Sequence, residues 1–139
     1  MIGMKRVFGA LVLFLMCCGD GQASLLPAHE WRMIRQIAAD YRLNEDETWL
    51  LAAIRRLENG RPGLEFGVGG PMDSGHPAHR YRDGVKSFII QGSWAAGTIK
   101  ARYHGDLDAF ARRYCPPKAA YWAQKIRQII AALKAEFTQ

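Results

Sequence analysis

Residues 53–67 read AIRRLENGRPGLEFG, and the fold turns on how this stretch is taken. Leu50, Ala53, Ile54 and Leu57 recur at helical spacing and run into Glu58, where Asn59-Gly60 stops the pattern. Asn and Gly tolerate the left-handed turn that closes a helix. Glu58 is therefore expected on the last turn of a helix, facing a glycine-rich loop. The carbonyl end of a helix is partly negative and disfavours a second negative charge. If Glu58 also follows the apolar stripe, loss of water pushes the same way. Both effects favour the protonated carboxyl that a general acid needs. The competing reading is a solvated helix-end Glu paired with Arg55 or Arg61.

The chain of 139 residues fits one domain. Lys5-Arg6, the apolar run 7–18 and the small-residue stretch Gly-Asp-Gly-Gln-Ala read as a secretory leader over 1–23. The run is short for a membrane span. Cys17 and Cys18 near its end leave a lipid-anchored form as a second option beside plain export to the periplasm, envelope or exterior. Without Lys5, Arg6 and Asp20 there remain 17 basic and 12 acidic residues over 24–139, a net charge of +5. A basic exported protein suits an anionic polymer or surface. The basic residues are dispersed rather than set in a stripe with interleaved aromatics. That argues against a nucleic-acid-binding or membrane-active helical protein. After cleavage only Cys115 remains, so no internal disulfide is available.

Working outward, Asn44 with Glu47 three residues on forms a capping signal for a helix from about Glu45 to Glu58. Upstream, Trp31, Ile34, Ile37, Ala38 and Tyr41 form a helical stripe behind Pro27. Downstream, the spacing predicts a helix over 85–103 with a break at Gly92-Ser93. A short helix capped by Asp106 and ended by Pro116-Pro117 follows, then a last helix over 118–137. No segment reads as a convincing strand, and at most a small hairpin fits 66–81. The fold class is all-α, a single domain over 24–139 of short helices around the central one.

Residues 59–82 are the most loop-like part, with six Gly and three Pro. A loop this long in a small domain is usually functional or disordered. Leu64, Phe66, Val68 and Met72 give it apolar weight, so it is expected to pack as a wall. His76 and His79 in a Pro-broken loop without nearby Cys are a poor metal signal. No metal or cofactor is expected.

A helix ending in Glu, followed by Asn-Gly and a glycine-rich loop, resembles the soluble lytic transglycosylase and bacterial muramidase group of the lysozyme-like superfamily. There the catalytic Glu lies in a helix-ending Glu-Ser-Gly or similar motif. GDLDAFARRYCPP (105–117) resembles the family segment in which a short helix closes on an active-site Tyr, here Tyr114. AAYWAQKIRQII (119–130) resembles the closing helix, and Trp94-Ala95-Ala96 with Thr98-Ile99 fits the helix between. RYCPP before a Trp-containing helix also looks like a segment of some bacterial glucosaminidases and phage wall hydrolases. The chain departs from the family in two places. Gly70-Pro71-Met72-Asp73 stands where Gly-x-Met-Gln is usual, and Cys115-Pro116-Pro117 replaces Asn-Ala-Gly.

The resemblance implies an exported, monomeric enzyme cutting the glycan strand of peptidoglycan, with Glu58 as general acid and then base. Tyr114 would orient the acid or touch the sugar, or else be a core Tyr at a helix end. Phe66, Met72, Asp73 and Tyr81 would line the groove, or else pack inward. A glycosidase that holds a second carboxylate about 5–5.5 Å away retains configuration, and one with about 6.5–9.5 Å inverts it. Glu65, Asp73 and Asp83 are the candidates, with Glu65 better read as structural or solvated. A transglycosylase needs none, because the substrate closes on itself to an anhydro sugar. The alternative function is a lysozyme-like domain that binds wall glycan without cutting it.

Overall fold

The computed structural model describes residues 24–68 and 84–138. Helix α1 (Ala28–Asp40) starts behind Pro27 and buries Ile34, Ile37 and Ala38. After a short turn, α2 (Glu45–Glu58) opens with the expected reciprocal cap. The Asn44 side chain accepts from the Glu47 amide at 2.8 Å, and the Glu47 carboxylate accepts from the Asn44 amide at 2.8 Å. Its interior is apolar almost all round, with Trp49 to Ile54 buried, because α2 is covered by its neighbours on several sides.

Helix α3 (Gly84–Arg102) antiparallels α2. Phe88 near its start lies under Arg55, and Lys100 near its end reaches Glu47 in the first turn of α2. The break expected at Gly92-Ser93 does not occur: α3 is continuous through both. Gly92 answers to packing instead. A Cβ there would stand 2.6 Å from Ile37 Cδ1 and 3.2 Å from the Phe66 ring, so its missing side chain lets α1 and the loop close onto α3.

Asp106 caps α4 (Leu107–Tyr114), its carboxylate accepting from the Ala109 amide at 3.0 Å. A 3₁₀ turn, Pro116–Lys118, leads into α5 (Ala119–Phe137), which lies antiparallel along α2. Among the described residues there is no strand. The hairpin considered for 66–81 falls mostly outside them, as does the leader over 1–23 with Cys17 and Cys18. None of the described helices is long and apolar enough to cross a membrane.

The core gathers Ile34, Leu50, Leu51, Ile54, Ile99, Phe110, Ile126 and Leu133, all essentially without solvent contact. Each such side chain contributes about 1.5–3 kcal/mol by leaving water. Trp31 stacks between Trp49 and Phe137, at 5.2 and 5.0 Å between ring centroids. Beside that stack the Leu25 amide donates to Glu136 Oε2 at 3.1 Å, and the Ser24 hydroxyl donates to Oε1 of the same carboxylate. The two ends of the folded body are thereby clasped together.

Candidate functional site

Glu58 is the last residue of α2, and Asn59 follows it in the left-handed region at φ 42°, ψ 38°. The turn sends the chain back under the helix end. There Gly67, at φ +68°, comes so close that a Cβ would lie 2.6 Å from both Cδ and Oε2 of Glu58. Only glycine allows the backbone to serve as a floor for this carboxyl, on grounds of both space and dihedral. From the far side, Trp122 on α5 donates its indole N–H to Glu58 Oε1 at 3.1 Å. The carboxyl is half-buried between these two. The solvated pairing with Arg55 does not form. Arg55 is committed to Glu30, at 2.7 and 3.1 Å, and to the carbonyls of Gly60 and Glu65.

Tyr114 ends α4 beside this group. Its hydroxyl donates to the Phe66 carbonyl at 2.7 Å, and its ring packs 5.3 Å from both Phe110 and Trp122. Burial pushes its phenol well above the ordinary value, and the negative charge of Glu58 pushes the same way. Tyr114 therefore stays a neutral hydroxyl donor at any physiological pH, holding the carbonyl one residue before Gly67.

The floor is fixed by a second buried group. Gln91, 1 % exposed, spans Gly67 with its amide. Its Oε1 accepts from the Phe66 and Val68 amides at 3.3 and 3.2 Å, and its Nε2 donates to the Val68 carbonyl at 2.8 Å. A glutamine, with donor and acceptor on one head, satisfies both edges of an extended backbone. One turn earlier on α3, the Ser87 hydroxyl donates to Glu65 Oε2 at 2.9 Å. The Gly63 amide donates to both, at 2.5 and 3.0 Å. Glu65 is thus a structural carboxylate, only 4 % exposed and already spent on the loop, and is no second acid for the site. Among the described residues its Oε1 is buried without a hydrogen-bond partner. Such an orphan costs about 1–3 kcal/mol.

Of the residues expected in the site, Glu58, Phe66 and Tyr114 come together. The Phe66 ring is fully buried, edge-on to Phe88 at 5.1 Å, so it is core rather than groove wall. What Phe66 brings to the site is its carbonyl. Met72, Asp73, Tyr81, Asp83 and the two loop histidines, His76 and His79, lie outside the described residues. No group of three or more His, Cys, Asp or Glu among the described residues is arranged to hold a metal. Cys115 is a half-buried free thiol.

Trp122 and Gln91 are neighbours of the candidate site that the apolar pattern hides. Trp122 was legible only as one more apolar position of the last helix. Its signal was that a buried indole N–H needs an acceptor. Gln91, between Ile90 and Gly92 in an otherwise apolar run, was a polar group in want of partners. Comparisons with protein-family models, with curated proteins and with solved structures gave no match.

Proposed function

We propose that this protein is an exported enzyme that cleaves the glycan strand of peptidoglycan, with Glu58 as its general acid and base. One observation carries the reading. The Glu58 carboxyl is half-buried at a helix end, seated on a glycine floor with one oxygen held by an indole N–H. The Trp122 donor occupies Oε1, leaving Oε2 as the oxygen to carry the proton. In the proposed reaction Oε2–H protonates the glycosidic oxygen as the C–O bond breaks and the ring gains oxocarbenium character. The resulting carboxylate keeps the Trp122 hydrogen bond, which strengthens when its acceptor is charged. It then takes a proton back, either from water or from a hydroxyl of the same sugar. Glu65 is spent on the loop, and the single-carboxylate route to an anhydro product is the one that the transglycosylase resemblance implies.

The leader over 1–23 and the net charge of +5 on the remainder fit an anionic wall outside the cytoplasm. Glu58→Gln tests the reading. Clearing of purified peptidoglycan should fall by about 10²–10⁴-fold, while the fold and binding to the wall persist. Mass spectrometry of the native digest should show a product lighter by one water. A native chain that binds but never clears the wall would turn the assignment to a glycan-binding domain.

A further inference from the structure

We propose that the cavity between the start of α1, the Arg55 turn of α2 and the start of α3 binds a primary ammonium on a short aliphatic chain, with Glu65 Oε1 as its acceptor. The cavity holds about 310 Å³, within the size range of small-ligand sites. Glu65 lines it, and the loop contacts leave one of its oxygens over. Oε2 accepts from the Gly63 amide at 3.0 Å and from the Ser87 hydroxyl at 2.9 Å. Oε1 accepts from nothing among the described residues, although Glu65 is only 4 % exposed. Buried polar atoms are seldom left in that condition. An oxygen that bulk water does not reach is satisfied only by a group that enters the cavity with its own donor.

The lining decides what that group is. Its charged members are Glu30, Arg55 and Glu65, two negative and one positive. Arg55 and Glu30 cancel each other at 2.7 Å, and the rest of the guanidinium is given to the carbonyls of Gly60 and Glu65. One negative charge is left over, and a buried charge calls for a counter-charge. His29, the other titratable group on the lining, is exposed. Met33, Pro62, Val85 and Phe88 make the remaining walls apolar. A lone water is a poor occupant, because it needs about 2–4 polar partners. Oε1 is the only buried side-chain oxygen or nitrogen without one among the described residues. A bare metal ion meets the same shortage of oxygens. A guanidinium is a planar fork suited to both oxygens of a free carboxylate, whereas one is open here. An aliphatic ammonium brings the positive charge, a donor for Oε1 and methylenes for the walls.

Placement separates this cavity from Glu58. Arg55 turns to Glu30 on α1 and lies over the Phe88 ring of α3, while Glu58 turns to Trp122 on α5. Glu65 stands two residues before Gly67, so the cavity and the floor under Glu58 share one loop. The ammonium has two sources, a free amine or an amino group on the peptides of the wall. The second source rests on the function proposed above, and the first does not.

A thermal titration with n-butylammonium chloride tests this, against sodium chloride of the same ionic strength and against butan-1-ol. The amine should raise the midpoint by about 5 °C once it exceeds its Kd about tenfold, and the two controls should not. Glu65→Gln keeps an acceptor for Gly63 and Ser87 but sets an NH₂ where Oε1 stood, and should weaken the amine about 10- to 100-fold. Val85→Lys, at a position 62 % exposed, brings a tethered cation to the mouth. It should weaken the amine about 3-fold at low salt and less at high salt. An amine that does no more than the controls overturns the proposal. So does an amine that acts equally on the native chain and on Glu65→Gln, since it then binds elsewhere. If Glu65→Gln does not fold, Val85→Lys decides, and an unchanged affinity overturns the proposal. Sedimentation of Glu58→Gln with purified wall, before and after acetylation of the wall's amino groups, separates the sources. A loss of about 3-fold on acetylation, absent when Glu65→Gln is added, assigns the wall peptides, and no loss assigns a free amine. The butylammonium titration needs no wall, so its failure leaves Glu58 untouched, and a chain that clears nothing leaves the amine site standing.

Discussion

The two ends of α2 are built on different principles. At its start, Asn44 and Glu47 satisfy each other across three residues, and from another element only Lys100 comes near, at 3.7 Å, among the described residues. At its end, Glu58 depends on Trp122, 64 residues away, and on a loop that Gln91 pins from 23 to 25 residues away. The first end is a local device that adds stability. The second is assembled from α3, α4 and α5, so any of them can disturb the carboxyl without touching it. The candidate site is placed where the fold is most jointly determined.

That contrast can be broken at either end. The largest effect is expected from Gln91→Leu. It strands the Phe66 and Val68 amides and the Val68 carbonyl, at about 1–3 kcal/mol for each group that stays dry. A loss of about 3 kcal/mol in a urea titration is expected, with wall clearing falling further than stability explains. Gly67→Ala comes next. The left-handed backbone costs about 1–2 kcal/mol with a Cβ present, and that Cβ must displace the Glu58 carboxyl from its seat. Clearing should drop at least tenfold even well below the melting temperature. At the other end, Asn44→Ala should cost about 1 kcal/mol and leave any clearing rate of the folded protein unchanged. Equal damage to clearing from Asn44→Ala and from Gln91→Leu would dissolve the distinction.

The smallest effect is a pH dependence. The Tyr114 phenol is raised in the folded state, so its share of stability is complete below the unfolded value, about pH 10, and is lost as pH rises beyond it. Tyr103, raised chiefly by burial and then by Asp46 and Glu47, acts in the same direction. Thermal midpoints should therefore fall in alkali. Tyr114→Phe should flatten the slope but not abolish it.

What could be read in the chain follows the same division. The span of α2, its capping box and the left-handed Asn59 were all readable, because each is set by residues within one turn. The all-α class and the apolar stripes were readable for the same reason. Gly92 was misread as a helix break, because a glycine needed for space and one needed for flexibility look alike in a sequence. Glu58 stood out as a carboxyl in an unfavourable place, but its partner did not. An indole on an apolar stripe gives no sign of which acceptor it meets across the core. The role of the Phe66 backbone was also hidden, since spacing suggests what a side chain does and is silent about a carbonyl.

The clasp between Ser24, Leu25 and Glu136 means that chain order is not what holds the acid in place. A circular permutant is therefore within reach, with a short polar linker joining residues 138 and 24 and new termini opened at the exposed His104-Gly105 turn. In that rearranged chain Glu58 would follow Trp122 in sequence order, and the hydrogen bond between them would be unchanged.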